Sequence, residues 1–260
     1  MALSNNDVKY YASLKQKKVR ESENKFLIEG FHLIEECLNS SYVIEAIVLR
    51  NGVGLEKHKE VKSKASEKNV RVESVPEKLF DKLAETENSQ GIVGVVRIPE
   101  AKKDNAPPGN EVIALDRIND PGNLGTIIRT AYWFGIDSVL ISKNSADIYN
   151  SKTLRSSQGA VFHMNISYGL DLKKNIHKLN SDGYKIYLFD ASAENDLARS
   201  NIIGKSVFVF GNEAEGISSD IFEQPYEKVK IQGFSDCESL NVAVSAGILM
   251  FYLKNGMKIV

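Results

Sequence analysis

Near the end of the chain the apolar residues fall in helical register. From Leu240, the positions Ala243, Val244, Gly247, Ile248 and Phe251 recur three and four residues apart, which predicts one buried face of a C-terminal amphipathic helix. Its first turn is polar, with Ser239 and Asn241 placed where a helix leaves backbone N–H groups unpaired. Ser235 and Glu238 have capping-box spacing and Ser239 is a good N-cap, so ordinary helix initiation accounts for them. The same end can also hold a carboxylate, a hydroxyl or a phosphate.

Upstream, residues 1–98 alternate between the two periods. Helical spacing covers 7–19, 31–38, 55–67 and 77–83, and β-branched or extended runs cover 26–29, 44–49, 70–75 and 92–98. Such alternation predicts a sheet covered by helices. Residues 99–110 (PEAKKDNAPPGN) combine Pro, Gly, Asn and charge with no periodic apolar position, and read as a linker between two domains. The pattern then restarts, with strands at 111–115, 138–141, 185–189, 206–210 and 228–231 and helices at 122–134, 149–157 and 173–180. Strands separated by helices predict a mainly parallel sheet, and ligands of such sheets bind at the carboxyl ends of strands.

Two of those ends carry unusual residues. In 116–135 (DRINDPGNLGTIIRTAYWFG) a Pro-Gly turn opens a helix on which Asn123 and Arg129 stand six residues apart, about 9 Å along its axis. In 209–218 (VFGNEAEGIS) a hydrophobic strand stops at Gly211 and delivers Asn212 and Glu213 into a loop closed by Gly216. The spacing lacks the Lys-Ser/Thr of a P-loop and is not G-x-G-x-x-G, which disfavours both common nucleotide sites.

Composition narrows the classes. The 260-residue chain is 42% hydrophobic, enough for two modest cores, and no apolar run approaches a membrane span; a cytosolic protein is expected. Cys37 and Cys237 are far apart and outside any zinc or C-x-x-C spacing, so reduced, structural thiols and no metal are expected. The four histidines are scattered. A formal net charge of -1 excludes a uniformly basic nucleic-acid coat, leaving local patches such as Lys15, Lys17, Lys18 and Arg20, which read either as a solvated helix end or as phosphate contacts.

Taken together, NLGTIIR (123–129), GNEAEG (211–216) and Ser239-Leu240-Asn241 resemble, in order, the three motifs of the SpoU (TrmH) family of RNA ribose 2'-O-methyltransferases, in the SPOUT class. RSSQGAVFHM (155–164) is similar as well, and KFLIEGFHLIEECL resembles the start of the family's ribosomal-protein-like RNA-binding domain. One departure is IQGF, where the family often has Ile-Pro-Met. The resemblance implies an N-terminal RNA-binding domain over 1–98 and a methyltransferase domain over 111–260. It also implies a trefoil knot formed where the chain after Val209 threads a loop, a homodimer, and S-adenosyl-L-methionine bound at Gly211, Asn212, Gly216, Ile231 and Leu240. It puts Arg129 at the 2'-hydroxyl, with Asn123, Glu213, Ser239 and Asn241 holding the reactants in register. Ribosomal RNA is the expected substrate, transfer RNA or a non-catalytic RNA-binding module the alternatives.

Overall fold

The computed structural model describes residues 3–56, 58–99, 109–200 and 202–255. They form two compact units. One holds the residues up to 99 together with Tyr149–His163, and the other holds 109 to Ile148 and the chain from Met164 onward.

In the first unit the elements are α1 (Asn5–Ser13), α2 (Lys17–Glu23), β1 (Lys25–Glu29), α3 (Phe31–Leu38), β2 (Ile44–Arg50), α4 (Lys59–Glu67), β3 (Arg71–Val75), α5 (Glu77–Phe80) and β4 (Ile92–Arg97). Their strands form a four-stranded sheet in the order β1-β4-β2-β3, antiparallel except for the parallel β2–β3 pair. The β-branched centres of β2 and β4 are buried on both faces, and Val8, Phe80 and Leu83 close one side of the core.

The second unit begins with β5 (Glu111–Leu115), α6 (Pro121–Trp133) and β6 (Ser138–Ser142). The chain then contributes α7 (Ser151–Ser157) to the first unit before continuing as β7 (Ile166–Leu170), α8 (Leu172–Ser181), β8 (Lys185–Phe189), β9 (Asn195–Asp196), β10 (Ser206–Phe210), α9 (Ser219–Phe222), β11 (Glu227–Lys230) and α10 (Val242–Asn255). Seven strands pair in the order β7-β6-β5-β10-β8-β11-β9, every pair parallel. The α/β class and mainly parallel sheet expected from the sequence are therefore present. The two central strands, β5 and β10, are apolar along nearly their whole length because helices cover both faces.

Several boundaries move, each for a tertiary reason. The helix expected over 7–19 is two helices, because Arg20 is buried and donates to the carbonyls of Leu14 (3.0 Å) and Lys15 (2.7 Å), closing the end of α1. Arg20 is thus no phosphate ligand, and Lys15 donates to the Ala84 carbonyl (2.7 Å), so only Lys17 and Lys18 of that basic run stay exposed. The helix expected from 55 starts at Lys59, with His58 stacked on Phe31 at 3.5 Å between ring centroids. The 149–157 helix starts at Ser151, because Tyr149 stacks on Phe26 (4.4 Å) and the Asn150 side chain caps the helix at Lys152 N (2.9 Å). The edge strands β7 and β9 lack a periodic apolar signal, so sequence pattern misses them. Most of the expected linker, 100–108, lies outside the described residues.

The C-terminal helix is turned over. Its buried residues are Val242, Ala243, Ala246, Leu249 and Met250, whereas Val244 (50%), Ile248 (38%) and Phe251 (45%) are exposed in the single chain. Only Ala243 of the expected buried face faces inward. The helix is apolar nearly all round, so its spacing cannot say which side meets its own sheet.

Candidate active site

The carboxyl ends of β5 and β10, and the start of α10, bring the three polar stretches together. Asp120 caps α6, its carboxylate accepting from Asn123 N (2.9 Å), and Pro121 fills the first turn where no N–H is needed. With its backbone N–H satisfied, Asn123 has its side chain free for other partners. Its Nδ2 donates to Glu213 Oε1 (2.7 Å), and its Oδ1 accepts from Asn241 Nδ2 (3.0 Å). Asn241 in turn accepts at Oδ1 from Ala243 N (2.9 Å) and Val244 N (3.4 Å), which makes it the cap of α10.

The ends of this path fix its polarity. Helix N–H groups can only donate, and an ionised carboxylate can only accept, so both amides between them have a single consistent orientation. The path therefore joins Asn123, Glu213 and Asn241 as one unit.

Glu213 reaches it from a tight loop. Asn212 and Gly216 exchange backbone hydrogen bonds (Asn212 N to Gly216 O 3.0 Å, Gly216 N to Asn212 O 2.9 Å), and the Asn212 side chain accepts from Ala214 N and Glu215 N while donating to the Arg117 carbonyl (2.9 Å). Gly216 has φ +69, and a Cβ on Gly211 would lie 2.2 Å from the Gly216 carbonyl carbon and the Ile217 nitrogen. Only glycine lets the strand end pass that close to the returning loop.

The remaining expected residues are placed less closely. Arg129 is exposed on α6, in a stripe with Tyr132 and Trp133, and among the described residues nothing bonds its guanidinium. Six residues turn a helix through about 240° beyond a full turn, so Arg129 and Asn123 leave α6 in different directions. Ser239 is exposed and two residues short of the helix, so it is not the N-cap, and the Ser235–Glu238 capping box does not form. Instead the exposed Cys237 thiol donates to the Ser239 carbonyl (3.4 Å); this thiol is not structural, unlike Cys37, which is buried with its thiol pushed up to about 12 by desolvation. Ile231 follows the end of β11 half-buried, and Leu240 is 49% exposed. Residues 232–240 make no backbone–backbone hydrogen bond with other described residues. Their N–H and C=O groups, with open space at Gly233, suit a ligand held through the main chain.

Two residues of this network escape sequence reasoning. Asp116, 4% exposed, accepts from Ser218 N (2.8 Å), and Arg117, with φ +58, donates to the Gly216 carbonyl (3.2 Å) and pairs with Glu215. They stitch the end of β5 to the loop after β10. The signal was an Asp-Arg pair directly after an all-apolar strand. Among the described residues no group of three His, Cys, Asp or Glu side chains is placed to hold a metal ion.

Residues 110–251 match the SpoU rRNA Methylase family, and residues 5–94 match the MRM3-like substrate binding domain. The chain is 34% identical over 252 residues to the 23S rRNA (guanosine(2553)-2'-O)-methyltransferase RlmP of Bacillus subtilis, covering 96% of each protein. Its identity to an uncharacterized tRNA/rRNA methyltransferase of Synechocystis is 27% over 244 residues, covering 94% of this chain and 89% of the other. An AdoMet-bound rRNA methyltransferase structure from Sinorhizobium meliloti shares 27% identity with a TM-score of 0.84, over 96% of this chain and 95% of that one. The match over the larger part of the chain, with the three polar stretches meeting as described, places the protein in the SpoU rRNA Methylase family of RNA methyltransferases.

Proposed function

We propose that this chain transfers a methyl group from S-adenosyl-L-methionine to the ribose 2'-hydroxyl of a nucleotide in structured ribosomal RNA. The observation that carries the reading is the hydrogen-bonded path from α10 through Asn241 and Asn123 to Glu213. Support for the 2'-O position and for ribosomal RNA comes from the activity named for RlmP, and support for the cofactor from the AdoMet-bound relative.

The sulfonium of the bound cofactor supplies an electrophilic methyl group. The chain's own residues then have two tasks: to line up the hydroxyl and to ease loss of its proton. Gly211 and Asn212 hold a tight turn that leaves open space at Gly216, and Ile231 and Leu240 offer main-chain groups along the open segment. Glu213, Asn123 and Asn241 fix the pocket wall, and Ser239, exposed two residues before Asn241, keeps its hydroxyl available to the reactants. Arg129 contributes a charged fork that can polarise the 2'-oxygen and clamp the adjoining phosphate, acting by electrostatics while the RNA phosphate assists in passing the hydroxyl proton to solvent.

In this reading residues 1–98 recognise RNA, 99–110 link, and 111–260 form the knotted catalytic domain of a cytoplasmic homodimer. Dimerisation is supported by the exposed apolar faces of α6 and α10, which pack on each other and present Tyr132, Trp133, Val244, Ile248 and Phe251 outward. No described helix is long and apolar enough to cross a membrane.

The test is methyl transfer from labelled S-adenosyl-L-methionine to unmodified ribosomal RNA. Arg129→Ala should keep cofactor binding by calorimetry and lose activity about 10²–10³-fold. Full retained activity defeats the role of Arg129, and wild-type protein that gives no heat with the cofactor returns the chain to a binding module.

A further inference from the structure

The segment between β11 and α10 carries a ring that the reaction leaves without a task. Phe234 is 97% exposed, between Gly233 and Ser235 and seven residues before Asn241. It lines an open cleft of about 540 Å³, whose other walls come from the β9 edge of the sheet and from Lys230. Two carboxylates there are already engaged: Asp196 accepts from Ala198 N (3.0 Å) and Glu227 pairs with Lys185 (2.7 Å). The side chains of Glu194, Asn195, Arg199 and Lys230 make no hydrogen bond or ion pair among the described residues.

We propose that this cleft is a subsite for a nucleotide of the RNA neighbouring the methylated one, with its base stacked on Phe234 and its phosphate held by Arg199 and Lys230. The inference rests on the RNA methyltransferase reading and assigns a specificity role to residues that reading does not use. A nucleotide combines, in one unit, a flat π face, an anionic group and an edge with both donors and acceptors. The cleft offers the complement of each: an unsupported aromatic ring, two uncommitted cations, and a carboxylate beside an amide in Glu194 and Asn195. An apolar peptide would find one ring in an otherwise polar wall. Position agrees, since Lys230 and Phe234 bracket Ile231 on the segment that ends at the Asn241 cap.

The experiment measures filter binding and methylation of an unmodified 23S rRNA transcript, with full-length protein. Phe234→Ala should weaken transcript binding and raise its KM about tenfold with kcat within about twofold, while Phe234→Trp keeps both. Replacing Arg199 and Lys230 together by Gln should lower the slope of log K against log salt by about 0.7 for the phosphate released. Unchanged RNA affinity in Phe234→Ala overturns the proposal. So does a changed affinity for S-adenosyl-L-methionine, which would give the cleft to the cofactor, or loss of a dimer in sedimentation, which would give the ring to a second copy. Wild-type protein that binds the transcript without methylating it defeats the proposed reaction, and the binding series still decides the subsite.

Discussion

Both polar ends of the Asn123 side chain are engaged, one with a carboxylate and one with an amide, and its backbone N–H is capped. This position consequently tolerates no acid. Asn123→Asp would set a second carboxylate against Glu213 where a 2.7 Å hydrogen bond now sits. Two carboxylates so close cannot both ionise freely, so one must take a proton at a raised pKa. The variant should lose about 10–100-fold in kcat at pH 8 and recover part of it as the pH falls. A pH–rate profile parallel to the wild type would show that the path does not hold the site. The sequence offered Asn123, Glu213 and Asn241 as candidates, but each alone reads as a cap or a loop residue. It gave no hint that Asn241 rather than Ser239 caps α10, since both residue types cap well and only the last turn's geometry separates them.

At the scale of elements, α3 and α4 pack with like charges facing. The Glu35 carboxyl is raised above the usual carboxylate range, first by its hydrogen bond with Glu60, then by desolvation and by the Glu60 charge. A raised acid pKa means that the folded state binds the proton more tightly. Its stabilisation is complete below the unfolded pKa and is lost as pH rises through the folded one. Glu60→Gln keeps a hydrogen-bonding partner and removes the charge. Its Tm should therefore exceed the wild type's at pH 8 and match it near pH 4; equal Tm values at both pH values would mean the pair is not coupled. Strand and helix order was legible here because burial on a sheet leaves period-two and period-3.6 traces. The break between α1 and α2 was not, because it depends on Arg20 folding back onto two carbonyls of its own chain.

Across the whole molecule, sequence order and compact units part company. Tyr149–His163 lies inside the stretch that matches the methylase family, yet it belongs to the unit of the N-terminal residues. Phe162 packs edge-on to Tyr42 at 5.2 Å and His163 Nε2 lies 2.8 Å from Glu36 Oε2. Such contacts join residues more than a hundred positions apart and leave no periodic trace. The exposed face of α6 and α10 carries the proposed dimer. Trp133, 83% exposed in the single chain, can be changed without cost to its own core. Trp133→Glu should leave thermal unfolding of the protomer nearly intact and shift sedimentation from dimer to monomer. A wild-type monomer, or a variant that stays dimeric, would remove that face from the interface.

The sequence alone determined the α/β class, the parallel order of helices and strands in the second half, and the three polar stretches, because each is written in local spacing and residue type. Tertiary structure decided which face of α10 turns inward, which residue caps it, and that Asp116 and Arg117 join the loop network. It also decided that Asn123, Glu213 and Asn241 touch while Arg129 stands apart on the surface. The physical reason is that hydrogen bonds and burial depend on partners far along the chain, and a helix apolar on every side carries no local mark of which partner it meets.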